Sequence, residues 1–153
     1  MDLILWRHAE AIDLELVGDD MMRGLTPRGE KQAARMAEWL DRQMPSGAKV
    51  WVSPALRTEQ TALALGRKFK ITPALAPLAN VDQLLELVQW PNGKGCVLVV
   101  GHQPTLGQAI ARLLGLHDSE CAVKKGAVWW LRHRERETGA QTVVVTVQSP
   151  EVL

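Results

Sequence analysis

A three-layer α/β/α sandwich around a mostly parallel, mixed sheet is the fold class this sequence predicts. Three observations carry that expectation. Strand-like and helix-like stretches alternate from the first residues to Gly115, the pattern of an α/β chain. Cys96 to Val100 is an uninterrupted apolar run, as expected of a central strand buried on both faces. After Gly126 two β-rich runs follow with no helix between them, which predicts a hairpin and so an antiparallel side to the sheet.

The elements follow in order. Leu3 to Trp6 reads as the first strand, and 11–23 as a mixed segment punctuated by Gly18-Asp19-Asp20. Thr26 can cap a helix and Pro27 fits its first position. Ala33, Met36, Ala37 and Leu40 then recur at helical spacing, so this helix is expected to reach about Arg42. Lys49 to Val52 reads as the second strand. A helix is expected from about Ala55 to Lys68, where Leu56, Ala62, Leu63 and Gly66 keep a small or apolar face. Ile71 to Pro77 reads as extended and broken by prolines, and 82–89 as a short helix with Asp82 near its positive end. Pro91-Asn92-Gly93 is a turn. A helix from Pro104 to Leu114 is closed by Gly115. Gly126 to Leu131 and Thr142 to Val147 form the hairpin, joined by charged residues and Gly139. Strand alternation points one ring of Trp129-Trp130 into the core and the other outward.

Composition narrows the function. A chain of 153 residues reads as a single domain, 1–153, able to bury a real core. A net charge of +1 argues against general nucleic-acid binding, which shows a basic excess. No apolar run approaches the roughly 18 residues of a membrane span, and no secretory signal is visible. A soluble, cytoplasmic protein is the expectation. Cys96 and Cys121 lack a CxxC partner, so no zinc site is expected; Cys96 reads as a buried reduced thiol.

Three predicted strands end in the same way. The first runs into Arg7-His8, the second into Ser53-Pro54-Ala55-Leu56-Arg57, and the central one into Gly101-His102-Gln103-Pro104. Active sites of open α/β sheets lie outside the carboxyl ends of their strands. Converging there, two Arg and two His would make a cationic pocket around a reactive imidazole. His8 is the candidate nucleophile, since an imidazole nitrogen can carry a phosphoryl group near neutral pH. Arg7 and Arg57 would clamp phosphoryl oxygens with planar, permanently charged guanidinium groups. His102, when protonated, would donate to a phosphoryl oxygen, and the helix start after it would favour an anion.

These segments together resemble the histidine phosphatase superfamily. The resemblance rests on Arg7-His8-Ala9-Glu10, on Arg23-Gly24-Leu25-Thr26 followed by Gly29, on Ser53 to Thr58 with Thr61, and on Val100 to Pro104. It covers nearly the whole chain. Its length and first segment most resemble the SixA-type phosphohistidine phosphatases. The resemblance implies a phosphoglycerate mutase-like fold, with His8 phosphorylated and Arg7, Arg57 and His102 forming the phosphate pocket. Arg23 would add a phosphate contact. It implies no metal and no organic cofactor.

Two departures from the family pattern bear on chemistry. Ala9 stands where the family usually has Gly. No Glu follows the middle extended segment, Pro77 to Asp82, where many members keep a general acid; Glu10 is a possible stand-in. An alkoxide leaving group needs such a proton, whereas imidazole leaves far more easily. The expected activity is therefore hydrolysis of phosphohistidine on a protein, of which a signalling phosphotransfer domain is one kind. The alternatives are a small-molecule phosphomonoesterase of the same fold and a phosphate-binding module without turnover.

Overall fold

The computed structural model describes residues 1–153. Its strands are Asp2–Arg7 (β1), Lys49–Val52 (β2), Lys70–Ile71 (β3), Cys96–Gly101 (β4), Val128–Arg136 (β5) and Gly139–Gln148 (β6). They form one sheet in the order β3-β2-β4-β1-β5-β6. β1 to β4 run parallel to one another, while β5 runs antiparallel to both β1 and β6. The helices are Leu14–Val17 (α1), Pro27–Gln43 (α2), Leu56–Leu63 (α3), Val81–Val88 (α4) and Thr105–Leu114 (α5).

Alternation along β1 divides the core between two faces. Ile4 and Trp6 pack with Met36 and Leu40 of α2 and Ala62 of α3. Leu3 and Leu5 pack with Leu84 and Val88 of α4 and Ile110 of α5. Helices thus cover both faces, and β4 is buried throughout, as a two-sided strand requires. This is the predicted α/β/α sandwich. None of its helices is long and apolar enough to cross a membrane.

Local sequence accounts for the helix starts. Thr26 Oγ1 accepts the Gly29 N–H at 3.0 Å, with Pro27 in the first turn. Asn80 and Gln83 form a reciprocal capping box on α4, so that helix begins one residue before Asp82. The Asp82 carboxylate reaches Arg112 at 2.6 Å. Gly29 is a packing requirement, since a Cβ there would run into the Glu10 carbonyl oxygen. It lets α2 cross directly against the segment that leaves β1.

Four expectations need correction. α3 ends at Leu63 rather than near Lys68: Leu63 is 59% exposed, the next bonds are tight turns, and Gly66 takes a φ of +71°. The 11–23 segment holds α1 and a 3-10 turn, Asp20–Met22. The charged residues 132–136 belong to β5 and pair with β6 up to Gly139, so they are not the hairpin connection. The two Trp rings do point to opposite faces, yet neither is free. Trp130 is buried edge-on against Trp39 and donates to Asp2, and Trp129 packs half-buried on the α4–α5 side. Cys96 is buried and unpaired, as expected.

Candidate active site

Strand register builds the site. Trp6 of β1 and Val52 of β2 both sit level with Val100 of β4. The chain therefore leaves the three carboxyl ends side by side, at Arg7-His8, Ser53 and Gly101-His102. Two bonds pin the exits: His8 N–H donates to the Gly101 carbonyl and Ser53 N–H to the Val100 carbonyl, each at 3.1 Å.

His8 is buried. Its Nδ1 lies 2.8 Å from the Ala9 carbonyl oxygen. A carbonyl can only accept, so Nδ1 carries the proton and Nε2 keeps its lone pair. Burial pushes the ring down to about 4, and the charges of Arg57, Arg7 and Arg23 act in the same sense, against the Ala9 carbonyl. His8 is neutral and nucleophilic at neutral pH.

The His102 ring lies 5.4 Å from that of His8, tilted by 54°. Its Nε2 is 2.7 Å from Ser53 Oγ. Ser53 Oγ also accepts the Ala55 N–H at 3.3 Å, so the serine holds the Nε2 edge of the ring and leaves Nδ1 without a protein partner. Burial, then the neighbouring His8, Arg57 and Arg7, push His102 down to about 3. The expectation of a protonated His102 is therefore corrected: burial beside two guanidinium groups disfavours its cation, and the ring is neutral near pH 7. The helix start after it is also less open than expected. The Leu106 N–H bonds the His102 carbonyl, and Gln103 Oε1 takes the Gly107 N–H at 2.6 Å.

Arg57 is buried in the first turn of α3. Its Nη1 donates to the Asp20 carbonyl at 2.7 Å and its Nη2 to Asp20 Oδ2 at 3.1 Å. Arg7 Nη1 donates to the Val123 carbonyl at 2.7 Å. Arg23 donates from Nε to the Ile12 carbonyl and from Nη1 to Asp20 Oδ1. Glu10 points elsewhere: its carboxylate faces Arg28 at 3.6 Å, and its backbone is held by Gln32 and Thr26. Ala9 keeps a negative φ and packs into a small cluster with Leu25 and Ala33, so the extra methyl is accommodated.

One feature sets this region apart. Four buried side-chain nitrogens in the molecule have no hydrogen-bond partner, namely Arg7 Nε, Arg57 Nε, His102 Nδ1 and His133 Nδ1. Buried polar atoms without a partner are uncommon and costly, and three of the four fall on residues at the strand exits around His8.

Three contributors escaped the sequence reading. Asp20 looked like loop punctuation, although its spacing of three before Arg23 was a usable hint. Ser53 fixes the His102 ring. Thr61 Oγ1 accepts the Ala9 N–H at 3.1 Å, holding the chain just beyond His8.

Comparison with known proteins gives consistent matches. Residues 3–80 match the model of the histidine phosphatase superfamily (branch 1). The chain is 33% identical over 122 residues to the phosphohistidine phosphatase SixA of Escherichia coli (strain K12), covering 74% of each. It is 28% identical over 130 residues to a SixA homolog of Haemophilus influenzae, covering 75% of this chain and 78% of that one. Among solved structures, the protein histidine phosphatase SixA complexed with tungstate superposes with a TM-score of 0.78, at 28% identity over 99% of both chains.

Proposed function

The chain belongs to the histidine phosphatase superfamily, and from that premise we propose that it hydrolyses phosphohistidine displayed on a protein, through a covalent intermediate on His8. The observation that carries this reading is the trio of unpartnered buried nitrogens, Arg7 Nε, Arg57 Nε and His102 Nδ1, on the residues that surround His8 at the strand exits. A phosphoryl group has three oxygens to satisfy. The relative solved with tungstate held a tetrahedral oxyanion of similar shape and charge.

His8 Nε2 attacks phosphorus while the phosphorus–nitrogen bond of the substrate breaks, its electron pair staying on the substrate ring. Water then attacks the phosphoryl group on His8. The P–Nε2 pair returns to His8, and phosphate leaves with the oxygen of water. Arg7 and Arg57 neutralise the equatorial oxygens in both steps, and His102 donates to one of them. Positioning and charge stabilisation of this kind supply most of phosphoryl-transfer catalysis. Arg23 lies at the margin and adds to the positive field. The partner class is a protein with a solvent-facing phosphohistidine, such as a phosphotransfer domain of a signalling relay.

The test is phosphate release from a histidine-phosphorylated protein and from p-nitrophenyl phosphate, for wild type and His8→Ala, with EDTA present. Rapid release from the phosphoprotein that vanishes with His8→Ala is expected. Preference for the ester by orders of magnitude would favour the phosphomonoesterase, and binding without release would favour the non-catalytic module.

A further inference from the structure

Asp20 is the one acidic side chain bonded to the pocket cations. Its Oδ2 accepts from Arg57 and its Oδ1 from Arg23, each at 3.1 Å. A carboxylate has about four acceptor positions, and each oxygen spends one here. The side chain is 42% exposed, whereas Arg57 is 5% exposed. The carboxylate is thus the solvent-exposed partner of a buried guanidinium, with acceptor capacity to spare. Burial alone would raise its pKa, but the bonds from Arg23 and Arg57 hold it below the ordinary carboxylate range, so it has no proton to give. Among the charges felt by His102, only that of Asp20 favours protonation, which places its field inside the pocket.

We propose that Asp20 is a specificity-determining residue, selecting substrates whose leaving group is a protonated imidazole over phosphate esters. This rests on the phosphohistidine reading above. A phosphorylated imidazole carries phosphorus on one nitrogen and a lone pair on the other. Protonated there, the ring leaves as neutral imidazole; unprotonated, it must leave as imidazolate. Asp20 accepts the hydrogen bond from that second nitrogen and stabilises the cation. The phosphorus–nitrogen bond then breaks with its pair moving to the first nitrogen, and the ring departs neutral with its other proton in place. An ester oxygen leaves with negative charge, which the same carboxylate opposes. Glu10, paired with Arg28, does not compete for this role.

The experiment is kcat/KM for wild type and Asp20→Asn on a histidine-phosphorylated peptide and on p-nitrophenyl phosphate. The amide removes the charge and keeps one of the two acceptor oxygens, so one of the two arginine bonds is lost and both substrates share that loss. Expected is a loss about 10- to 100-fold larger on the phosphopeptide than on the ester, the size of one charge-assisted hydrogen bond. The ester turnover that remains shows that the variant folds. Equal losses on both substrates would reduce Asp20 to a prop for Arg57 and overturn the proposal, as would no change on either. A wild type that cleaves only the ester would overturn the phosphohistidine reading itself, and this inference with it.

Discussion

Ser53 Oγ stands 2.7 Å from His102 Nε2, and this single contact decides which ring nitrogen of His102 the protein holds. It occupies Nε2 and leaves Nδ1 as the nitrogen without a protein partner. Ser53→Ala frees the ring to adopt either tautomer and strands a buried nitrogen, at a cost of about 1–3 kcal/mol. The expected outcome is a fall in kcat/KM of roughly tenfold or more with phosphate release still dependent on His8. A variant with wild-type kcat/KM would show that the serine merely fills space.

Both site histidines are neutral when folded, near 4 for His8 and near 3 for His102, because burial and the arginines disfavour their cations. In the unfolded chain they titrate near 6.5. The unfolded state thus binds more protons as pH drops below that value. Stability is full above about pH 6.5 and declines toward about pH 4, by on the order of 3 kcal/mol for His8 alone. Urea midpoints measured from pH 7 to 4.5 should fall accordingly, and less steeply for His102→Asn. An NMR titration of the His8 ring with a midpoint near 6.5 would contradict this.

Much of this architecture is legible in the sequence because it rests on local rules. Thr26-Pro27 starts α2, Gly115 ends α5 with a φ of +66°, and the apolar run from Cys96 becomes the central strand. The common height of Arg7, Ser53 and His102 follows from parallel register, so the clustering of motifs at strand ends pointed to one site. What remained hidden depends on pairings across the chain. No local pattern says that Asp20 will meet Arg57, 37 residues away, or that Arg28 will draw off Glu10. The early end of α3 is a case of tertiary context, where an exposed Leu63 gains nothing from further helix.

Gly29 ties α2 to the strand exit that carries His8. Its amide is capped by Thr26, and a methyl group in its place would collide with the Glu10 carbonyl, which accepts the Thr26 N–H. Backbone cannot yield as a side-chain tip can. Gly29→Ala should therefore lose about 1–3 kcal/mol, the usual cost of overpacking, in spite of the better helix propensity of Ala. Its urea midpoint against wild type reads this directly; a more stable variant would mean that α2 can slide away freely.

Arg57 performs two tasks with different atoms, and lysine cannot perform both. Its two Nη atoms are committed to Asp20 while Nε stays unpartnered in the pocket. A lysine ammonium is a single point charge on a flexible stem. Arg57→Lys keeps the charge, so His8 stays depressed, but it loses either the Asp20 bridge or the unpartnered second donor. By analogy with losing one preorganised donor, kcat/KM should drop about 10²–10³, while the His8 titration moves little. Arg57→Ala should drop it at least as far and also raise the His8 midpoint, because a repelling positive charge has gone. Comparing the two variants by kinetics and NMR separates geometry from charge. Equal activity of Arg57→Lys and wild type would show that charge alone carries the contribution of this residue.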